Sequence, residues 1–322
     1  MKQLIGLFFA AFGLLVTPVG AQTEYPAKPI RFIVPFPAGG GTDIIARQVG
    51  NKLNEIPGWK MVIDNVAGAG GNIGLGVAAK SAPDGYTLVL GQTSNLAIAP
   101  ALFAKIPYES TKDFAPVTLV SSVPLAFMVA ADSPFKTLAD LVNAAKAKPG
   151  EITFATSGNG TVAHLATEMF KRTAGIDMLH VPYKGAAAAF PDLIGGRVNV
   201  FVSSLETGVP QIKSKNVRAL AITSMARVPI TPDVPTFHES GYKNFEALTW
   251  FGVLAPAGTP EPIIAKLNAE LTRILKMPDV QEKFAGTSGG EFKTGPKEFA
   301  ALLKTELGKW SKAVKESGAK VD

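Results

Sequence analysis

The sequence has no cysteine in its 322 residues, and that absence removes several chemistries at once. It rules out a disulfide framework, a thiolate nucleophile, a Cys-ligated zinc and a lipid carried on a cysteine behind an export signal. Histidine is almost as scarce. His164, His180 and His238 are the only three, separated in the chain and without metal-ligand spacing, so no metal is expected. No phosphate loop ends in Gly-Lys-Ser/Thr, and Gly68-Ala69-Gly70 opens like a dinucleotide fingerprint whose third glycine would fall on Ile73. No cofactor is expected. Ser157 lies seven residues before His164 but in no Gly-x-Ser-x-Gly elbow; a hydrolase stays open only because catalytic triads are geometric rather than sequential. The reading is of a protein that is not an enzyme.

Long hydrophobic runs are also missing, except at the start. Lys2 supplies a positive end, residues 4–16 form an apolar core closed by Thr17-Pro18, and Val19-Gly20-Ala21 makes a small-residue cleavage site. This pattern predicts a signal peptide over residues 1–21 and a mature chain from Gln22, soluble outside the cytoplasm and, without a lipid anchor, periplasmic. The apolar core is short for a membrane helix, which needs about 20 residues. Lys and Arg number 32 against 26 Asp and Glu, a net +6 that is dispersed along the chain. The densest basic run, residues 293–320, interleaves lysines with Glu298, Glu306 and Glu316 around an apolar stripe, the pattern of a solvated helix face. Nucleic-acid binding is therefore not expected.

What the sequence does have is a repeated order of apolar strand, glycine-rich loop and helix. Residues 30–34 read as a strand, 35–41 as a turn, and Thr42 begins a helix with Ile45, Val49 and Leu53 on one side. Strand 61–63, loop 67–71, a helix to Ala79, strand 86–90 and a polar loop 92–95 follow. A second set begins near Val117: strand 125–129, a helix opened by the capping box Thr137 and Asp140, strand 152–155, loop 156–160, and a helix with Val162, Leu165, Met169 and Phe170 that stops at Gly175. Strands 178–181, 198–202 and 217–222 complete what reads as a second parallel sheet. Two amphipathic helices end the chain, one starting at Thr259-Pro260 and one marked by Phe299, Leu303, Trp310 and Val314. The predicted fold class is α/β, two doubly wound domains joined by a hinge. Domain 1 comprises residues 22–122 and 249–322, domain 2 comprises residues 123–248, and the terminal helices return to domain 1.

Ligands of open parallel sheets bind at the carboxyl ends of the strands, where helix N-termini point their amides into a crevice. Four loops hold those positions here. They contribute Phe36, Ala38, Gly39, Gly40, Thr42 and Asp43; then Thr93, Ser94 and Asn95; then Ser157, Gly158, Gly160 and Thr161, with His164 one turn on; and Ser203, Ser204 and Leu205. All are rich in Gly, Ser, Thr or Asn, and none contains Lys or Arg. Such loops offer N–H and hydroxyl donors without a point charge, which suits a small polar or anionic ligand. Asp43 is expected to complement its own helix N-terminus, and Glu206 to be solvated.

At these loops the sequence resembles the Bug family, the solute receptors of tripartite tricarboxylate transporters. The resemblance runs through Tyr25-Pro26, Val34-Pro35-Phe36-Pro37-Ala38-Gly39-Gly40, Gly70-Gly71-Asn72-Ile73-Gly74, Pro83-Asp84-Gly85-Tyr86, Val181-Pro182-Tyr183-Lys184-Gly185 and Ala255-Pro256-Ala257-Gly258-Thr259-Pro260. It covers essentially the whole mature chain. It implies a Venus-flytrap fold of the periplasmic-binding-protein type that closes on a small carboxylate, held by amides, hydroxyls and bridging waters rather than an arginine. It also implies partners, the large and small membrane subunits of a tripartite tricarboxylate transporter, served by a monomeric receptor. Two positions depart from the family pattern: Ala99 stands where an Asn often precedes Pro100, and Ser203 where an acid is common. The missing acid argues against an amino acid and for a mono- or dicarboxylate, aliphatic or aromatic. A receptor that presents its ligand to a signalling partner is an alternative that these residues do not separate from transport.

Overall fold

The computed structural model describes residues 25–183, 185–285 and 295–319; the segment 1–21 expected to be a signal peptide, Lys184 and the ends of the basic run lie outside the described residues. The first half of the chain runs β1 (Ile30–Val34), α1 (Gly41–Asn54), β2 (Met61–Asn65), α2 (Asn72–Ala79), β3 (Thr87–Gln92) and α3 (Ala99–Leu102), then a 17-residue strand β4 (Phe114–Ala130). The second half runs α4 (Leu138–Ala147), β5 (Thr153–Thr156), α5 (Val162–Ala174), β6 (Leu179–Pro182), α6 (Ala186–Ile194), β7 (Val200–Ser204), α7 (Leu205–Lys213) and β8 (Val217–Ile222). A long return strand β9 (Leu248–Pro256) leads into α8 (Glu261–Leu275), α9 (Pro278–Ala285) and α10 (Pro296–Ser317).

Local chemistry sets several of these boundaries. Thr137 and Asp140 form the reciprocal capping box of α4, with bonds of 3.1 and 2.9 Å. Gly175 ends α5 at φ 62°, a left-handed conformation that glycine adopts without steric cost. α8 starts one residue later than its Thr-Pro signal suggests, because the Thr259 hydroxyl turns back to the Pro256 carbonyl, 2.8 Å. The polar stretch after β3 is not a loop: residues 94–98 form a wide π-helical turn that runs into α3.

One nine-stranded sheet runs through the molecule in the order β2-β1-β3-β9-β4-β7-β5-β6, with β8 beside β4. It is mixed rather than parallel. β1, β2 and β3 are parallel, as are β5, β6 and β7, but β9 is antiparallel to β3, and β4 is antiparallel to β9, β7 and β8. The second sheet predicted as parallel is corrected accordingly. Alternation of apolar residues does not record the direction of a buried strand, and the direction of β4 is set by its long pairing with β9.

β4 pairs with β9 from Phe114 to Pro124 and with β7 and β8 from Leu125 onward. Where it changes partners, Ser122 faces Trp250, Val123 faces Thr249 and Pro124 faces Leu248. Two threonines staple this crossing. The Thr93 hydroxyl accepts the Trp250 amide at 2.9 Å and reaches the Leu248 carbonyl at 3.3 Å. Thr223 accepts the Leu125 amide at 2.9 Å and donates to the Ala247 carbonyl. Each side chain continues a ladder where the backbone pairing stops.

The core follows the faces of the sheet. Ile33, Phe127, Val129 and Phe154 join one apolar cluster; Phe32, Val34, Ala126 and Met128 join the other, so each cluster extends across both halves. α8 covers β4 and α1, whereas α10 packs on the 94–98 turn, α3, β4 and also α5. The last helix therefore straddles both halves instead of returning to the first alone. It carries Glu306, only 7% exposed, whose Oε2 accepts the indole N–H of Trp250 at 3.0 Å and of Trp310 at 2.7 Å while Oε1 meets Lys309 at 3.3 Å. An unmade buried hydrogen bond costs about 1–3 kcal/mol. Glu306→Leu should therefore lower stability in urea unfolding by about 2–5 kcal/mol, and Glu306→Gln, which keeps an acceptor, by clearly less.

Candidate ligand-binding site

The first loop follows β1 and opens α1. Phe36 is half-buried, residues 37–41 are exposed, and the N-cap Gly40 brings no side chain to cap the helix. Asp43 lies beneath the loop. Its carboxylate takes the Gly39 amide at 2.9 Å, the Arg47 Nε at 2.8 Å and Asn65 Nδ2 at 2.9 Å. Burial acts to raise the Asp43 carboxyl, but the bonds from Arg47, Gly39 and Asn65 outweigh it and hold the group down to about 2. Asn65 also donates to the Phe36 carbonyl at 3.0 Å, tying the end of β2 to the loop. Arg47 and Asn65 are site-shaping residues that sequence reading passed over, although Arg47 stands one helical turn from Asp43.

The second of the four loops, residues 93–95, serves structure as much as surface. Thr93 is committed to β9, and Asn95 accepts the Gln92 amide at 2.9 Å. The Tyr108 hydroxyl, whose ionisation burial disfavours, lies against Asn72 Oδ1 and the Asn95 carbonyl. Asn95 Nδ2 is buried with no acceptor among the described residues. A Cβ at Gly71 would stand 2.6 Å from that nitrogen and 3.1 Å from the Phe36 ring, so the first and second loops meet over Gly71. Ser94 is half-buried.

In the second half, the loop between β5 and α5 is organised by two threonines. The Gly158 carbonyl accepts Thr156 Oγ1 at 3.0 Å and Thr161 Oγ1 at 2.9 Å, and Thr161 caps α5 by accepting the His164 amide at 3.2 Å. Ser157 and Gly158 are half-buried. Gly160 has φ 69°, and a Cβ there would lie 2.1 Å from Leu102 Cδ2. Leu102 belongs to α3 of the first half, so this is the point where the β5–α5 loop meets the opposite half. At the fourth position, Ser203 and Ser204 close the β4–β7 ladder opposite Ala126 and Leu125, and Ser204 bonds Thr207 at 2.8 Å. The Leu205 side chain is wholly buried in the core.

Two histidines distant in sequence meet in space. The rings of His164 and His180 stack with centroids 3.9 Å apart and planes at 8°, and Phe154 lies 4.8 Å from His180. His164 Nδ1 accepts the Gly160 amide at 3.1 Å, so in the neutral ring the proton is on Nε2. Burial, then Lys171, pushes His164 down to about 4; burial, then His164, then Lys171, pushes His180 down to about 3. His238 sits elsewhere and accepts the Asn244 amide. Among the described residues no three His, Asp or Glu side chains are grouped to hold a metal ion.

Residues 45–319 match the family described as the tripartite tricarboxylate transporter family receptor. The chain belongs to that family. Protein BugT of Bordetella pertussis is 41% identical over 322 residues, 100% of this chain and 98% of that one. A structure of Rhodopseudomonas palustris Rpa4515 with adipate has TM-score 0.82 at 33% identity, covering 92% of this chain and 99% of the other. MatC (Rpa3494) of the same species with bound malate has TM-score 0.77 at 32% identity, covering 90% and 100%. The Bug resemblance read from the motifs is thereby borne out, and the fold of this receptor is that of periplasmic binding proteins. Among the described residues no helix is long and apolar enough to cross a membrane.

Two outcomes follow for the receptor's stability. An L-residue in the left-handed region costs about 1–2 kcal/mol, so Gly160→Ala should destabilise by at least that much; adding Leu102→Ala should recover part of the loss in a double-mutant cycle by urea unfolding. The histidine pair should also make folding acid-sensitive. An unfolded histidine titrates near 6.5, above both folded values, so the unfolded chain binds more protons in between and stability falls with pH. The contribution is complete above about pH 6.5 and is lost as pH falls towards 3. Tm measured across that range should drop less steeply in His180→Gln than in the wild type.

Proposed function

We propose that the protein is a periplasmic receptor that captures a small mono- or dicarboxylate between two lobes and delivers it to the membrane subunits of a tripartite tricarboxylate-type transporter. The lobes would be residues 22–122 with 249–322, and residues 123–248, turning about the β4–β9 crossing as a monomer. The observation that carries this reading is the N-terminus of α1. It follows a parallel strand at residues 37–41, exposed, built of glycines and capped by no side chain. The first amides of a helix have no intrahelical acceptor and attract anions.

The second lobe would offer Ser157, Gly158 and the start of α5 from the other side, and the contact between Leu102 and Gly160 supports the two sides meeting. Asp43 is already satisfied by three donors, so its part is to shape the first loop. The relatives found with adipate and malate support a carboxylate as the ligand class. The reading is of binding without turnover.

The test is a thermal-shift series on the mature chain with adipate, malate, and the amide and methyl ester of each. Ligand at 100 times its Kd stabilises by about 2.7 kcal/mol. At least one acid should raise Tm while its amide and ester do not; equal shifts with acid and amide would overturn the anion site.

A further inference from the structure

The β5–α5 loop is held from beneath by two imidazoles. His164, in the first turn of α5, accepts the Gly160 amide at Nδ1, and His180, on β6, places Nε2 2.7 Å from the Thr156 hydroxyl. Thr156 in turn donates to the Gly158 carbonyl. Both ends of the loop are thus fixed by a ring nitrogen, and the rings lock each other by stacking at 3.9 Å.

The His164 contact works only for a neutral ring, whereas the Thr156 hydroxyl, already donating to Gly158, takes the His180 Nε2–H in either state, so a charge on His180 acts through the stack. A neutral imidazole accepts at one nitrogen, whereas an imidazolium has two donors. A second proton on His164 would put N–H against the Gly160 N–H, and a charge on either ring would lie face to face with its neighbour. The surrounding charges give it no relief. Lys171 of α5 lies over the Phe154 ring at 5.7 Å and is paired with Glu168 of the same helix at 3.0 Å and with Asp177, just before β6, at 3.4 Å. α10, packed on α5, contributes Glu316, which pairs with Arg172 at 3.6 Å. Leu102, facing the loop from the first half, is uncharged.

We propose that His164 and His180 form a positioning pair that, while neutral, holds residues 156–161 in the form that takes the carboxylate, and that protonation of the pair frees the loop and releases the ligand. This rests on the binding reading above and adds to it a regulator of the same site. His180 touches no ligand; it steadies Thr156 and, when charged, acts through its stack on His164.

The experiment has two arms. In the first, the ligand-free mature chain is followed by nitrogen-15 NMR. A scalar coupling across the hydrogen bond from the Gly160 amide to His164 Nδ1 is expected at pH 7.5. It should vanish on acidification together with the exchange protection of the loop amides. In His164→Asn, whose Oδ1 takes the place of Nδ1 and does not titrate, protection should persist. Imidazoles that titrate while the loop amides stay unmoved would overturn the proposal. In the second arm adipate is the probe, with its affinity measured by calorimetry. At pH 7.5 His164→Leu should weaken binding roughly tenfold or more, the equivalent of one lost hydrogen bond to a buried donor, while His164→Asn stays near the wild type. Between pH 7.5 and 3 the wild type should lose affinity more steeply than His164→Asn, the protonation of adipate itself being common to both. Identical pH profiles would overturn the proposal, and the Asn variant decides even if the Leu variant does not fold. Should adipate fail to bind the wild type at any pH, the binding reading loses support, while the first arm still decides whether the pair controls the loop.

Discussion

The antiparallel pairing of β4 with β9 is the constraint on which the rest of the molecule depends. The two strands lie side by side from Phe114–Pro256 to Pro124–Leu248, with register shifts at Pro116/Thr118 and Leu119/Ser121, and β4 alone runs on to pair with β7 and β8 in the second half. A loop joining two lobes would leave their relation free, whereas two hydrogen-bonded strands leave mainly twist. The stapling of this crossing by Thr93 and Thr223 explains why hydroxyls, which sheet interiors seldom need, are buried there. The candidate ligand face depends on this pair, since it sets how the loops after β1 and β3 stand against those after β5 and β7.

Much of this was legible in the sequence because the signals were local. Thr137 with Asp140, Gly175, and the apolar strands before each glycine-rich loop act within a few residues, and the structure places them as read. The family resemblance drew on the same loops. The direction of β4 was not legible, because a strand buried on both faces shows the same run of apolar residues whichever way it points. Nor was the straddling position of α10. An amphipathic stripe tells which face is buried and not against what.

At the candidate site the loops could be named but not their inner partners. Asn65 reaches Asp43 from 22 residues away, and His180 reaches Thr156 from 24; neither belongs to a spacing pattern that local chemistry would produce. His164 and His180 looked isolated because stacking between a helix and an edge strand leaves no trace in one dimension. Gly160 is an intermediate case. Its place in a loop suggested a turn, and the structure adds that Leu102 of the opposite half occupies the space where a Cβ would go.

The division of the core by faces has a consequence for how such a chain can change length. Side chains alternate between the two apolar clusters along β4, with Leu125 and Phe127 in one and Ala126 and Met128 in the other. One residue inserted near the crossing would exchange every side chain beyond it between the clusters, since register in a strand has a period of two. The same insertion in a surface loop would be absorbed at small entropic cost. Gains and losses of residues should therefore fall in the connections around the rim, while β4 and β9 keep their lengths even where their composition drifts.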